Sequence, residues 1–301
     1  MQDAASYCAE LVRSADRDRF VATLFAPARN RDALYALYAF NVEVARVRGR
    51  AREAAPGEIR LQWWREVLQG ERHGEALATP VAASLLNAIE TYRLQANPML
   101  ALLEARGFDL YDEPMRTVAE LEDYAIKTAS GLIAVAAAIL GTDAARVARP
   151  AGIAYALTEL LAALPEHAAR RQLYLPLELL DRHGVGAADV FAGRSSPALN
   201  RAAAELRGLA RRHLAAAADL LPGLPEQALP AVLPIVPVRR SLDQMDRSDI
   251  FSPKVLSPWR RQWLIWRAAR NPKRLTGGSR SIAGSKDFRK TFSAHAPAAV
   301  S

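Results

Sequence analysis

Apolar and polar positions follow a helical rather than a strand period along almost the whole chain. Alternating β-branched runs bounded by turns, the mark of half-buried strands, are lacking. Helix starts are announced where a capping side chain precedes proline, at Thr79-Pro80, Asn97-Pro98, Ser196-Pro197 and Ser257-Pro258. Proline suits the first helical position because an N–H there would have no partner within the helix. Thr117 with Glu120 predicts a capping box ahead of a helix over 118–140. Stops are predicted at Gly70, Gly107, Gly141, Gly184 and Gly193, since glycine takes a left-handed turn at no steric cost. No fixed period repeats, which speaks against a helical solenoid.

The same pattern limits the architecture. No uninterrupted run of eighteen apolar residues exists, and LPAVLPIVPV at 229–238 is broken by Pro230, Pro234 and Pro237, so no bilayer span is predicted. A chain of 301 residues, half of them hydrophobic, can bury one large core. The expectation is an all-α, single-domain helical bundle over residues 1–270. The first residues carry acids and no apolar h-region, unlike a secretory signal or an Arg-rich transit peptide, which predicts a cytoplasmic chain. Cys8 is the single cysteine; alone it forms no internal disulfide or cysteine-based zinc site, and it is expected as a small buried hydrophobe.

Charge changes the picture only at the C-terminal end. From residue 254 onward, eleven Lys and Arg stand against Asp287 alone, a net +10; the whole chain is +8, so residues 1–253 sum to −2. Within that basic end, SPWRRQWLIWRAAR at 257–270 predicts a short helix with Trp259, Trp263 and Trp266 on one face and Arg260 and Arg267 beside them. Such a face either docks on the bundle or lies in the interface of an anionic membrane, where Trp and Arg are favoured. Residues 271–301 are rich in Gly, Ser, Ala and basic residues without an apolar period, which predicts a disordered tail. No folded reader motif accompanies these charges, so nucleic acid is not an expected partner.

Four segments carry recognisable motifs: YAFNVEVARVRG at 38–49, RLQWWREVL at 60–68, LEDYAIKTASGLIAVAAAILG at 121–141 and ALTELLAALPEHAARRQLYLP at 156–176. They resemble the squalene and phytoene synthases, whose corresponding patterns are close to YAFCRxxDDxxD, RLxWWRxxL, YxxxxAGxxG and QLTNILRDVxEDxxxGRxYLP. The matches include Tyr38 and Phe40, Trp63, Trp64 and Arg65, Tyr124 and Ala129, and Thr158, Glu166, Tyr174 and Pro176. The similarity runs from about Tyr7 to about Arg270, and it implies an isoprenoid-synthase-type bundle.

The carboxylates of that family are missing. Its first three metal-binding aspartates would fall on Ala45, Arg46 and Gly49, and its second pair on Ala163 and His167. A magnesium cluster needs hard oxygen ligands, and a departing diphosphate needs that magnesium. AFNVE at 39–43 and the PEHAARR run at 165–171 are similar to the branch of the mitochondrial complex I (NADH:ubiquinone oxidoreductase) assembly factor 6. That resemblance implies a non-catalytic role in assembly of the respiratory complex. Its implied partner is a complex I subunit or assembly intermediate, and an isoprenoid or lipid in the cavity is a further implied ligand; the basic tryptophan helix adds an anionic membrane surface, on the inner face, as an expected partner. A prenyl-diphosphate transferase with an atypical metal site is the other function class left open. No cofactor is expected.

Candidate cavity or partner-binding residues are Tyr38, Asn41, Glu43, Arg46, Trp64, Arg65, Tyr124, Lys127, Glu159, His167, Arg170, Arg171 and Tyr174. Arg46, Arg48, His167 and Arg170 should make the mouth basic to neutral. A guanidinium pair such as Arg170 and Arg171 either clamps an anion in bidentate fashion or is simply solvated. His167 either serves structure or ligates a metal. Glu43 and Glu159 are expected in ion pairs with Arg46 or with Arg170 and Arg171.

Overall fold

Helices begin at most of the cap and proline signals. In the computed structural model, which describes residues 3–50 and 54–271, the chain opens with α1 (Ala4–Ala15), α2 (Arg17–Thr23), α3 (Ala28–Ala45), α4 (Val47–Arg50) and α5 (Ala54–Gln69). It continues with α6 (His73–Leu77), α7 (Pro80–Tyr92), α8 (Asn97–Gly107) and α9 (Val118–Ala125), then a π-helical turn (Ile126–Ser130) leading into α10 (Gly131–Ile139). After α11 (Ala145–Ala162) come the short α12 (Leu164–Ala169), α13 (Leu177–Arg182) and α14 (Ala187–Phe191). The long α15 (Pro197–Leu220), α16 (Leu229–Val232), α17 (Val238–Met245) and α18 (Pro258–Arg270) complete the bundle. The described residues contain no strand, and none of their helices is long and apolar enough to cross a membrane.

Local signals differ from expectation in detail. Ser196 caps α15 by accepting from the Leu199 N–H at 3.1 Å, whereas Thr79 and Ser257 precede α7 and α18 without a side-chain capping bond. Asn97 is the first residue of α8 rather than its cap. Thr117 accepts from the Glu120 N–H at 3.1 Å, but the Glu120 carboxylate reaches back to the N–H of Arg116, so the box closes one residue early. Gly70, Gly141, Gly184 and Gly193 take positive φ, whereas Gly107 has φ −56 and the backbone winds on through a 3-10 turn at Phe108–Leu110.

The predicted helix over 118–140 is interrupted by the π turn. The Thr128 hydroxyl donates to the Tyr124 carbonyl at 2.7 Å, and the Ser130 hydroxyl donates to the Arg149 carbonyl of α11 at 2.8 Å. Gly152 of α11 faces this turn so closely that a Cβ there would lie 2.4 Å from the Ser130 nitrogen and Cα. α11 therefore packs backbone to backbone on the turn and lies along α15 on another side, while α3 packs against α1 and α7. Leu34, Leu37, Tyr38 and Phe40 of α3 join Trp64, Leu102, Leu103, Ile153 and Leu157 in one continuous core. Cys8 is fully buried in it, and burial pushes its thiol up to about 11, the behaviour of an inert apolar side chain.

α18 docks through a smaller cluster, Ala22 and Leu233 against Ile265 and Ala268. Of residues 271–301, expected as a disordered tail, all but Asn271, the C-cap of α18, lie outside the described residues.

Candidate functional site

The segments that carry metal-binding aspartates in the synthase pattern converge on one open cleft of about 430 Å³. The end of α3 and start of α4 supply Ala45, Arg46, Arg48 and Gly49; α12 supplies His167 and its C-cap Arg170. Arg106, Asp109, Gln172 and Tyr174 complete the lining.

Asp109 is the hub. It is buried, and its carboxylate accepts from the Tyr174 hydroxyl at 2.5 Å, the Tyr124 hydroxyl at 2.9 Å and the Arg106 guanidinium at 3.0 Å. Arg106 also donates to the Tyr124 hydroxyl at 2.7 Å, and the Gln172 amide donates to the Asp109 carbonyl at 2.9 Å. Burial, reinforced by the neighbouring carboxylate, pushes both tyrosines well above their ordinary pKa, so they remain hydroxyl donors. His167 stacks on Tyr174 with ring centroids 4.6 Å apart, and its buried Nδ1 has no partner among the described residues. Burial holds His167 below its ordinary pKa, leaving it neutral at pH 7.

The mouth is basic. Arg46, Arg48, Arg106 and Arg170 face one carboxylate, Asp109, a lining charge of +3 with His167 neutral. Arg48 is spoken for by the Leu110 carbonyl at 2.9 Å and Asp112 at 2.7 Å. Arg46 and Arg170 make no ion pair among the described residues, and two guanidiniums facing one cleft suit an oxyanion such as a carboxylate or phosphate.

A magnesium ion does not fit this donor set. It would ask for several hard oxygens, yet the aspartate positions hold Ala45, Arg46, Gly49, Ala163 and His167, and the carboxylate of Asp109 is already engaged by three donors. Among the described residues no group of three or more His, Cys, Asp or Glu is arranged to hold a metal.

The structure gathers Arg46, His167, Arg170 and Tyr174 in the cleft, with Tyr124 directly behind. The other candidates do not line it. Tyr38 is buried beneath Arg19, whose guanidinium stands 5.6 Å from the ring centroid. Asn41 is buried on α3 with an unpartnered Oδ1, and Trp64 packs edge-on to Phe40 at 4.9 Å in the core. Arg65 donates to Gln62 on its own helix, and Lys127 pairs with Asp123 at 3.0 Å and Glu104 at 3.3 Å. Arg171, in the left-handed region at φ 56, covers the ring of Phe191 instead of joining Arg170 as a clamp.

The expected acid partners are also corrected. Glu43 pairs with Arg60 at 2.8 Å, one α5 side chain that can reach across to α3, and Glu159 pairs with Arg261 of α18 at 2.8 Å. Neither meets Arg46 or the 170–171 pair. Trp259, Trp263 and Trp266 are all exposed, with Arg260 beside them and Arg267 over the Trp263 ring. Asp109, Arg106 and Gln172 join the site without a sequence signal of their own: Arg106 and Asp109, three apart beside Gly107, lie outside the four motif segments, and Gln172 lies within the last of them but does not match its pattern.

A profile of the squalene/phytoene synthases matches residues 12–267, which takes in every element of the cleft. The chain belongs to the squalene/phytoene synthase family. Within the family, it is 31% identical over 258 residues to "NADH dehydrogenase (ubiquinone) complex I, assembly factor 6" of Rattus norvegicus, covering 84% of this chain and 78% of that protein. The Homo sapiens protein of that name is 30% identical over 254 residues, covering 83% and 76%. A 15-cis-phytoene synthase of Synechocystis is 24% identical over 208 residues, covering 64% and 61%. Among solved structures, squalene synthase from Alicyclobacillus acidocaldarius superposes with a TM-score of 0.71 at 24% identity, covering 83% of this chain and 95% of that one. A dehydrosqualene synthase in complex with ligand gives 0.78 at 19% identity, covering 90% and 97%. These two likenesses establish that the family's isoprenoid-synthase fold is kept.

Proposed function

We propose that this protein is a non-catalytic member of the family acting in assembly of respiratory complex I at the inner face of the membrane. The observation that carries this reading is the donor set of the cleft, in which alanine, glycine, arginine and histidine replace the metal-binding carboxylates while the surrounding bundle is kept. Fold alone does not carry an activity when the site is changed. The similarity to proteins named complex I assembly factor 6, across most of the chain, supports the same direction.

In this role the bundle of residues 1–270 serves as a docking body. The cleft offers Arg46 and Arg170 to an anionic group of a complex I subunit or assembly intermediate. The hydroxyls of Tyr124 and Tyr174 and the Arg106 guanidinium fix Asp109 so that it does not neutralise those arginines. Residues 257–270 place the molecule peripherally on an anionic membrane.

Deleting the gene should lower the amount of assembled, active NADH:ubiquinone oxidoreductase while carotenoid, squalene and hopanoid levels stay unchanged. Normal oxidoreductase with altered isoprenoids would reject the proposal in favour of a prenyl-transfer enzyme. Complementation with Arg46→Glu/Arg170→Glu should fail to restore the oxidoreductase if the cleft is the docking site.

A further inference from the structure

α18 presents its largest apolar side chains outward. Its inner face is Arg261, Ile265 and Ala268, whereas Trp259, Trp263 and Trp266 are 82%, 48% and 46% exposed. The guanidiniums of Arg267 and Arg270 lie over Trp263 and Trp266, 4.9 and 5.0 Å from the ring centroids. Beside this helix runs a groove of about 680 Å³ between α15, α17 and α18. Leu214, Ala218, Leu221, Val236 and Leu264 give it an apolar floor.

Its rim is cationic. Arg211, Arg239, Arg240 and Arg267 face Asp219 and Asp243, a net +2. Arg211 is held by Asp246 at 2.5 Å and Asp243 at 3.4 Å, whereas Arg239, Arg240 and Arg267 make no ion pair among the described residues. A second hollow shares Arg240 and Leu264 with the groove and extends it to Arg247, Arg260 and Trp263, so the apolar floor and the tryptophan face are continuous.

We propose that this groove seats a single anionic phospholipid, with its phosphate on Arg239, Arg240 and Arg267 and an acyl chain along the Leu214 to Leu264 floor. The proposal deepens the membrane position given under Proposed function and rests on it. Charge complementarity selects the headgroup: planar guanidiniums without carboxylate partners match a phosphate, and the floor offers an alkyl chain what a free phosphate does not need. The neighbouring tryptophans belong at the depth where headgroups meet chains, which places the mouth of the groove at the source of the ligand.

The test is calorimetric titration of the full chain with dihexanoyl phosphatidylglycerol below its micelle threshold. Dihexanoyl phosphatidylcholine and glycerol phosphate serve as the zwitterionic and free-phosphate arms. The anionic lipid should bind at least about tenfold more tightly than either, and Ala218→Phe, which fills the floor, and Arg239→Gln/Arg240→Gln, which strips the rim, should each weaken it about tenfold. Both variants are partly or fully exposed positions, and unchanged helical circular dichroism confirms their fold. Glycerol phosphate binding as tightly as the lipid, or affinity indifferent to both variants, overturns the lipid site. Trp259→Ala/Trp266→Ala, which line neither hollow, should reduce co-sedimentation with anionic vesicles and leave the soluble-lipid affinity intact. Loss of vesicle binding in the wild-type chain with the soluble lipid still bound would reject the membrane position and keep the groove. Vesicle binding that survives both Trp changes and the rim variant would put the membrane contact elsewhere on the molecule and reject the membrane position of this face, whereas the groove is decided by the soluble-lipid affinities.

Discussion

Arg261 of α18 and Asp18 of α2, 243 positions apart, form an ion pair at 2.6 Å in which both side chains are largely shielded from water. The second arm of the guanidinium reaches Glu159 of α11 at 2.8 Å. Burial opposes charge on either group and raises the Asp18 pKa, with Arg261 working against that rise. For Arg261 burial is outweighed by Glu159 and Asp18, which hold it firmly protonated. One side chain thereby ties the last helix to two others and sets its roll, turning Ile265 inward and the three tryptophans outward.

Removing that cation should cost more than removing a tryptophan. Arg261→Met leaves Asp18 buried without a counter-charge, for an expected loss of about 3 kcal/mol. Trp259→Ala, on the outer face, should stay within about 0.5 kcal/mol of the wild type. Urea denaturation midpoints check both, and equal losses would mean that the tryptophans pack against protein.

The approach of Gly152 to Ser130 gives a second test. Gly152→Ala puts a methyl group into the Ser130 backbone, which cannot swing away as a side-chain tip would, and should destabilise by about 2 kcal/mol or more. Gly208→Ala in α15 meets nothing nearer than the Arg212 guanidinium at 3.7 Å and should stabilise by about 0.5–1 kcal/mol through the unfolded chain. Thermal unfolding of the two variants should move in opposite directions.

Much of this was legible in the sequence and some was not, for physical reasons. The helical period and the spacing around Tyr38, Trp64 and Tyr174 specify the bundle and its family, because these are local or motif-borne signals. The π turn at Ile126–Ser130 has no such signal: it depends on Thr128 taking a carbonyl and on Gly152 arriving from another helix. Asp109 gains its role from Tyr124 and Tyr174, fifteen and sixty-five residues away, so no local pattern marks it. The partners of the two glutamates depend on the tertiary fold for the same reason. Glu43 and Glu159 find arginines on other helices rather than the ones nearest in sequence. The tryptophan period showed that one face of α18 is apolar, but which face docks is decided by the distant Asp18.

His167 predicts a pH response. Burial lowers its pKa first and most, Arg170 and Arg106 add to that, and Asp109 and Glu166 oppose it. The unfolded chain then takes up a proton near pH 6.5 while the folded chain does not until lower pH, so stability is full above about pH 6.5 and falls as the pH drops toward the folded value. His167→Gln should remove this component. The difference in urea midpoint between wild type and variant should change between pH 7.5 and pH 5.5, with the wild type losing more; a difference constant with pH would contradict it.

Metal-dependent prenyl chemistry should be absent from this bundle although the synthase fold is kept. The most direct test is incubation of the purified full chain with farnesyl or geranylgeranyl diphosphate and magnesium, with hydrocarbon product and released pyrophosphate measured against a heat-denatured control. Neither should rise above that control at any magnesium concentration, because among the described residues no carboxylate cluster stands in for the aspartates absent at Ala45, Arg46, Gly49, Ala163 and His167. Squalene, phytoene or magnesium-dependent pyrophosphate release above the control would contradict it.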